Sequence, residues 1–235
     1  MSYWHQVTPE NAGKWKWREI GRDNFDWANL DSYYNFALNN NLPFKYHTLI
    51  WNDHSYSPFW MSNLDSARQV MEVKQWIDTI AHRYPKINFV DVVNEPLHHS
   101  PTFKNLIGGN GSTGWDWVIC AFEKARAIFP HSVKLLINEY SVLNSDTATT
   151  QYLQIINLLK NRNLVDGIGV QCHYFEMKGI SSTLIKNNLD RLAATGLQIY
   201  ISEYDSNKKN DLSEIIFHSV SVFYVIIDAS RKEFL

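Results

Sequence analysis

Two short apolar runs, each closing on a glutamate, restrict the fold of this chain more than any other feature. Phe89-Val90-Asp91-Val92-Val93 is rich in β-branched residues and runs into Asn94-Glu95-Pro96, as a buried strand does. Proline cannot continue a ladder, so the strand stops there and leaves Glu95 at its C-terminal lip. A second run, Gln198-Ile199-Tyr200-Ile201, gives way in the same manner to Ser202-Glu203-Tyr204-Asp205.

Between and before these runs the pattern alternates. Helical spacing is read over Leu30–Asn39, Ser66–Arg83, Trp117–Phe129, Thr147–Arg162 and Ser182–Ala194. Pro85 and Pro130 stop two of these helices, and Gly196 stops the last. Strands are read over Phe44–Trp51, Val133–Glu139 and Asp166–Tyr174, with the end of another at Val7. Strands alternating with helices predict a parallel sheet with helices outside, and in a parallel α/β barrel the strand C-termini carry the chemistry. The count is six strands, or seven if Ser219–Ile227 is a strand rather than a helix. Leu97 to Gly114 is too long for a mere connector and reads as functional. Its glycines lack the G-x-G-x-x-G spacing of a phosphate loop.

A chain of 235 residues, 45% hydrophobic, suffices for one sizeable core. A net charge of -2 gives no reason to expect nucleic acid or an anionic membrane. No apolar run is long enough to span a bilayer, and the residues after Met1 do not read as a signal peptide, so the protein stays inside the cell or its native N-terminus is missing. Cys120 and Cys172 form no disulfide framework and read as small core residues. Nine Trp and twelve Tyr suit either a Trp-rich core or a sugar cleft floored by flat rings. Two strand-end glutamates are the minimum apparatus for hydrolysing a glycosidic bond. His98-His99, with Asp53 and His54, show neither HExxH nor paired-Cys spacing, so a solvated loop is expected there rather than zinc. Asp23 and Asp26 read as turn and capping residues.

Thr8-Pro9-Glu10-Asn11 with Lys14-Trp15, His47-Thr48-Leu49-Ile50-Trp51, Asp91 to Pro96, Gly167 to His173 and Ile201 to Asp205 follow one another in a recognisable order. They resemble the motifs of glycoside hydrolase family 10, the endo-β-1,4-xylanases. The resemblance implies a (β/α)8 barrel forming a single catalytic domain over residues 1–235, incomplete at both ends. It also implies xylan or xylooligosaccharides as partners, no metal or cofactor, and, from the substrate class, a secreted protein.

By the same resemblance, Glu95 is the acid/base and Glu203 the nucleophile of a retaining reaction, with carboxyls about 5 to 5.5 Å apart. Asn94 and His47 resemble ligands of the sugar in the cleaved position, with Trp51 closing the floor. His173 resembles the imidazole that orients the nucleophile, Asp205 the carboxylate that orients His173, and Gln171 a residue reaching the acid/base. Gln171 and His173 should share one strand face and Cys172 the other. Glu10, Asn11 and Lys14 look like the grip on the next sugar toward the non-reducing end, and Tyr140 and Tyr174 like leaving-group platforms. Taken alone, His47 reads as a core histidine, and Tyr174 divides evenly between core and platform. The chain lacks counterparts of the family's first strand and of the late Trp residues that roof the sugars, and its loop Asn52–Pro58 is longer than usual. A related β-1,4-glycanase and a non-catalytic carbohydrate binder are the alternatives.

Overall fold

A computed structural model describes residues 5–51 and 57–205. The readings on Asp53, His54, most of Asn52–Pro58, and Ser219–Ile227 lie outside those residues. The described chain runs α1 (Trp15–Arg18), β1 (Glu19–Gly21), β2 (Asn24–Phe25), α2 (Ala28–Asn39), β3 (Lys45–Ile50), α3 (Ser66–Arg83) and β4 (Phe89–Asn94). It continues through α4 (Asp116–Ile128), β5 (Lys134–Glu139), α5 (Asp146–Lys160), β6 (Gly167–Val170), α6 (Tyr174–Met177), α7 (Ser182–Ala193) and β7 (Gln198–Ile201). Strands β3 to β7 form one sheet in sequence order, every pair parallel. Among the described residues the fold is therefore α/β with five strands of an unclosed barrel.

The sixth expected strand is present only as a single parallel bridge from Val7 to Phe44. The antiparallel hairpin β1–β2 was not expected. Asp23 occupies its turn at φ 60°, and Asp26, one residue before the N-cap Trp27, accepts the Ala28 amide at 3.1 Å in the turn into α2.

Of the stripe expected on α3, Val73, Ile77 and Ile80 are buried while Val70 is half-buried, and Trp76, not expected there, is buried with them; the stripe expected on α5, Tyr152, Ile155, Ile156 and Leu159, is buried throughout. Each such side chain contributes roughly 1.5 to 3 kcal/mol. Asp65 caps α3 by accepting the Arg68 amide at 2.9 Å, and Ser145 caps α5 through Ala148.

Two glycines are dictated by close approach. A Cβ on Gly13 would lie 2.1 Å from the His47 carbonyl oxygen, so the loop carrying Glu10, Asn11 and Lys14 lies flat against β3. The Tyr46 hydroxyl fastens it by donating to the Gly13 carbonyl. Because the obstacle is backbone, Gly13→Ala is expected to cost about 1 to 3 kcal/mol, visible as a lowered urea midpoint. A Cβ on Gly169 would lie 2.3 Å from Asn138 Oδ1, and the space left by its absence is occupied by that amide.

The expected strand over Asp166–Tyr174 is shorter in the structure. It ends at Val170, Cys172 turns at φ 62°, and Tyr174 begins α6. Strand alternation therefore does not govern Gln171 and His173, although Cys172 is buried as expected.

Candidate active site

The carboxyl ends of β4, β5, β6 and β7 bring the predicted residues together. Glu95 follows β4 directly and sits at φ 57°, a left-handed conformation that costs a non-glycine residue of order 1 to 3 kcal/mol and concentrates at functional sites. Its amide donates to the Asn138 carbonyl at 2.8 Å. Oε1 accepts from Gln171 Nε2 at 2.8 Å and from Asn94 Nδ2 at 3.1 Å. Oε2 accepts from Trp51 Nε1 at 2.6 Å.

Asn138, which the sequence reading passed over, links the two glutamates. Fully buried, its Nδ2 donates to Asn94 Oδ1 at 2.8 Å and to Glu203 Oε1 at 2.7 Å. Ser202 Oγ donates to its Oδ1 at 2.5 Å, fixing which way the amide faces. Asn94, Asn138 and Gly169 are direct register partners across β4, β5 and β6. The link is thus set by the sheet itself.

Glu203 has an electropositive surround. His173 Nε2 lies 3.3 Å from Oε2, and His173 Nδ1 lies 3.6 Å from Asp205 Oδ1. Behind them, Asp91 Oδ2 is shared at 2.8 Å by Lys45 Nζ and His47 Nδ1, all three buried. Burial by itself would raise the Glu203 carboxyl; the bond from His173 and the charges of His47, His173 and Lys45 outweigh it and hold the group at about 2. Burial opposes a proton on His173, yet its bond to Glu203 and the nearby carboxylates raise it above the ordinary value.

Of the residues expected to hold a second sugar, Lys14 stands beside Trp51. Lys14 Nζ donates to Asn11 Oδ1 at 2.9 Å and lies 4.1 Å from the Trp51 ring centroid, a cation–π distance. Burial lowers the Lys14 ammonium, with Glu203, Glu10 and Glu95 pulling the other way. Glu10 and Asn11 are exposed at the rim.

His98 and His99 lie in the loop after β4, His98 exposed and His99 half-buried, as the solvated-loop reading has it, and both also reach site residues. His98 Nδ1 bonds Glu139 Oε1 at 3.0 Å and its ring stacks on Tyr140 at 4.0 Å. His99 Nε2 stands 3.5 Å from Glu95 Oε2. The bond to Glu139 raises His98 above the ordinary histidine value. No group of three or more metal-ligating side chains converges among the described residues. Tyr174 is half-buried, its amide donating to Asp205 at 2.5 Å and its ring 5.7 Å from Lys178 Nζ. It is the neighbouring Phe175 that stacks on His173, at 5.3 Å and 19°.

The model of glycosyl hydrolase family 10 matches residues 1–228. The chain belongs to that family. It is 37% identical over 213 residues to endo-1,4-beta-xylanase B of Cellvibrio japonicus, covering 89% of this chain and 33% of that protein. It is 32% identical over 173 residues to endo-1,4-beta-xylanase 2 of Aureobasidium pullulans, covering 72% and 47%. Among solved structures, the family 10 protein of Paenibacillus barcinonensis superposes with a TM-score of 0.72 at 26% identity, covering 90% of this chain and 67% of that one. Xylanase 10B of Thermotoga petrophila, in complex with xylobiose, gives 0.71 at 27%, covering 87% and 64%. The family 10 chain thus spans about a third to three fifths of the length of such xylanase relatives.

Proposed function

We propose that this family 10 chain is a retaining endo-1,4-β-xylanase working outside the cell, where its polymeric substrate is found. In the first step Glu203 attacks the anomeric carbon while Glu95 gives its proton to the departing glycosidic oxygen. The C–O bond breaks and a glycosyl ester to Glu203 forms. In the second, Glu95 takes a proton from water, the water oxygen attacks the same carbon, and Glu203 leaves with its charge restored. Asn94 would hold the 2-hydroxyl as positive charge grows on the ring, and His173 with Asp205 would steady the nucleophile. Lys14, Asn11 and Glu10 would grip the adjoining sugar, with His47 and Trp51 beneath the cleaved one.

The observation that carries this reading is the linked pair: two strand-end glutamates joined through Asn94 and Asn138, one of them held ionised. The test is release of reducing ends from xylan, carboxymethyl cellulose and mannan side by side, with the anomer of the first product followed by NMR. Xylan preferred, with the β-anomer formed first, agrees; an α-anomer would refute the retaining mechanism. A second reading, a non-catalytic binder, draws on the unclosed sheet, and binding of xylooligosaccharide without turnover would favour it.

The nucleophile also predicts a pH response. A carboxyl lowered from 4.5 to about 2 by folding contributes stability that is complete above its unfolded value and lost as pH falls from 4.5 toward 2. Urea titrations across that window should show a steeper loss in the wild-type chain than in Glu203→Gln.

A further inference from the structure

Glu176 is a buried carboxylate beside the paired glutamates to which the hydrolytic mechanism gives no part. It is 5% exposed on α6. Its Oε1 accepts the His173 amide at 2.7 Å, and its Oε2 accepts the Ser141 amide. Those two amides belong to different turns, one leaving β6 and the other leaving β5. Both turns pass through left-handed backbone on residues other than glycine, Cys172 at φ 62° and Ser141 at φ 55°, and such conformations persist only where the surroundings fix them. Helix α6 has four residues, too few to hold itself by propensity. Its other ties also run to neighbouring elements: the Glu176 carbonyl accepts from Asn144 Nδ2 at 2.8 Å, and the Tyr174 amide donates to Asp205. The place of His173 therefore depends on contacts made across the sheet end, and the Glu176 carboxylate is where the two turns meet.

We propose that Glu176 is a positioning residue for the nucleophile: by clamping the turn after β6 to the turn after β5 it fixes where the His173 ring stands, and through that ring it governs Glu203. This role rests on the xylanase reading, in which Glu203 is the nucleophile. Burial pushes the Glu203 carboxyl up, and the bond from His173 is the largest influence holding it down. Lys45 and His47 on β3, and Lys14, also face Glu203, so it keeps part of its support if His173 moves. His173 faces three carboxylates, Glu203 and Asp205 after β7 and Glu176 on α6. Glu176 in turn faces His173 and Glu203, and its charge reaches Tyr140 after β5 and His98 after β4.

The test uses two variants of the full chain. Glu176→Gln keeps the shape of the side chain but turns an NH2 toward one of the two amides, and Glu176→Asp keeps the charge but is too short to reach both. On xylan, kcat should fall about tenfold to hundredfold in either, with KM little changed. The acid limb of kcat/KM should move to higher pH by about one unit, since Glu203 with less help from His173 takes up its proton sooner. Loss of the Glu176 charge by itself would move the limb the other way, so an upward shift identifies displacement of His173. The titration of the His173 ring, followed by NMR, reads the clamp without substrate. Burial opposes the proton on that ring and the bond to Glu203 leads the influences that favour it, so in Glu176→Asp, where the neighbouring charge is kept, the midpoint should fall. Folded variants that keep the wild-type acid limb and His173 midpoint, even with lowered thermal stability, would overturn the role. A wild-type chain that hydrolyses no xylan would overturn the xylanase reading instead, leaving the clamp to stand or fall on the His173 midpoint.

Discussion

Glu203→Ala is expected to lower xylan hydrolysis by about 10⁴-fold or more, the scale on which a covalent nucleophile acts. Among the described residues the other carboxylates of the site are held elsewhere: Glu176 accepts from the backbone amides of His173 and Ser141. Asp205, the next carboxylate along the chain, lies on the far side of His173, on Nδ1, whereas Glu203 meets Nε2. Glu95 stands at the other end of the Asn94–Asn138 link. The substitution would also leave Asn138 Nδ2 without one acceptor and His173 without its closest carboxylate. Those losses affect stability by about 1 to 3 kcal/mol, an effect water entering the vacated space would reduce. The discriminating measurement is therefore initial rate on folded protein, checked by circular dichroism. Residual activity within tenfold of wild type would remove Glu203 from the role of nucleophile.

The glutamates were legible in the sequence because each follows an apolar run, and a strand that ends abruptly shows where its lip lies. Helix α3 was legible to the residue, since its stripe is regular and Pro85 forbids continuation. The end of β6 was not. Gln171-Cys172-His173 has no proline or glycine to mark the turn, and the positive φ falls on Cys172, a residue with no preference for it. Asn138 stayed hidden because an amide inside a strand resembles any other polar residue there. The available signal was across the sheet: Gly167-Ile168-Gly169 places two glycines in one short strand, and glycine in a strand marks close approach. Here the close neighbour of Gly169 is Asn138 itself. The stacking of Phe175 on His173 was hidden for a related reason, since the assumed strand ran through Tyr174 and the helical turn that carries Phe175 had no periodicity to announce it.

Glu95→Ala should behave differently from the nucleophile variant, and the difference is the stronger evidence for its role. Protonating the leaving oxygen matters most when that oxygen departs as a poor leaving group, as a sugar hydroxyl does. Loss of general acid catalysis should therefore slow xylan hydrolysis by about 10² to 10⁴-fold. An aryl β-xylobioside with an acidic phenol leaves without that help, so its first step should remain fast. The second step still needs Glu95 to take a proton from water, and slows. The variant should then show a burst of phenol followed by a slow steady rate, with a covalent xylobiosyl adduct on Glu203 detectable by mass spectrometry. Alanine suits the experiment better than glutamine. The Glu95 carboxylate accepts from Trp51, Gln171 and Asn94 together, and a glutamine would turn an NH2 toward at least one of those donors, adding a repulsion unrelated to proton transfer. Equal losses on xylan and on the aryl substrate, with no burst, would mean that Glu95 moves no proton, and its left-handed backbone would need another explanation.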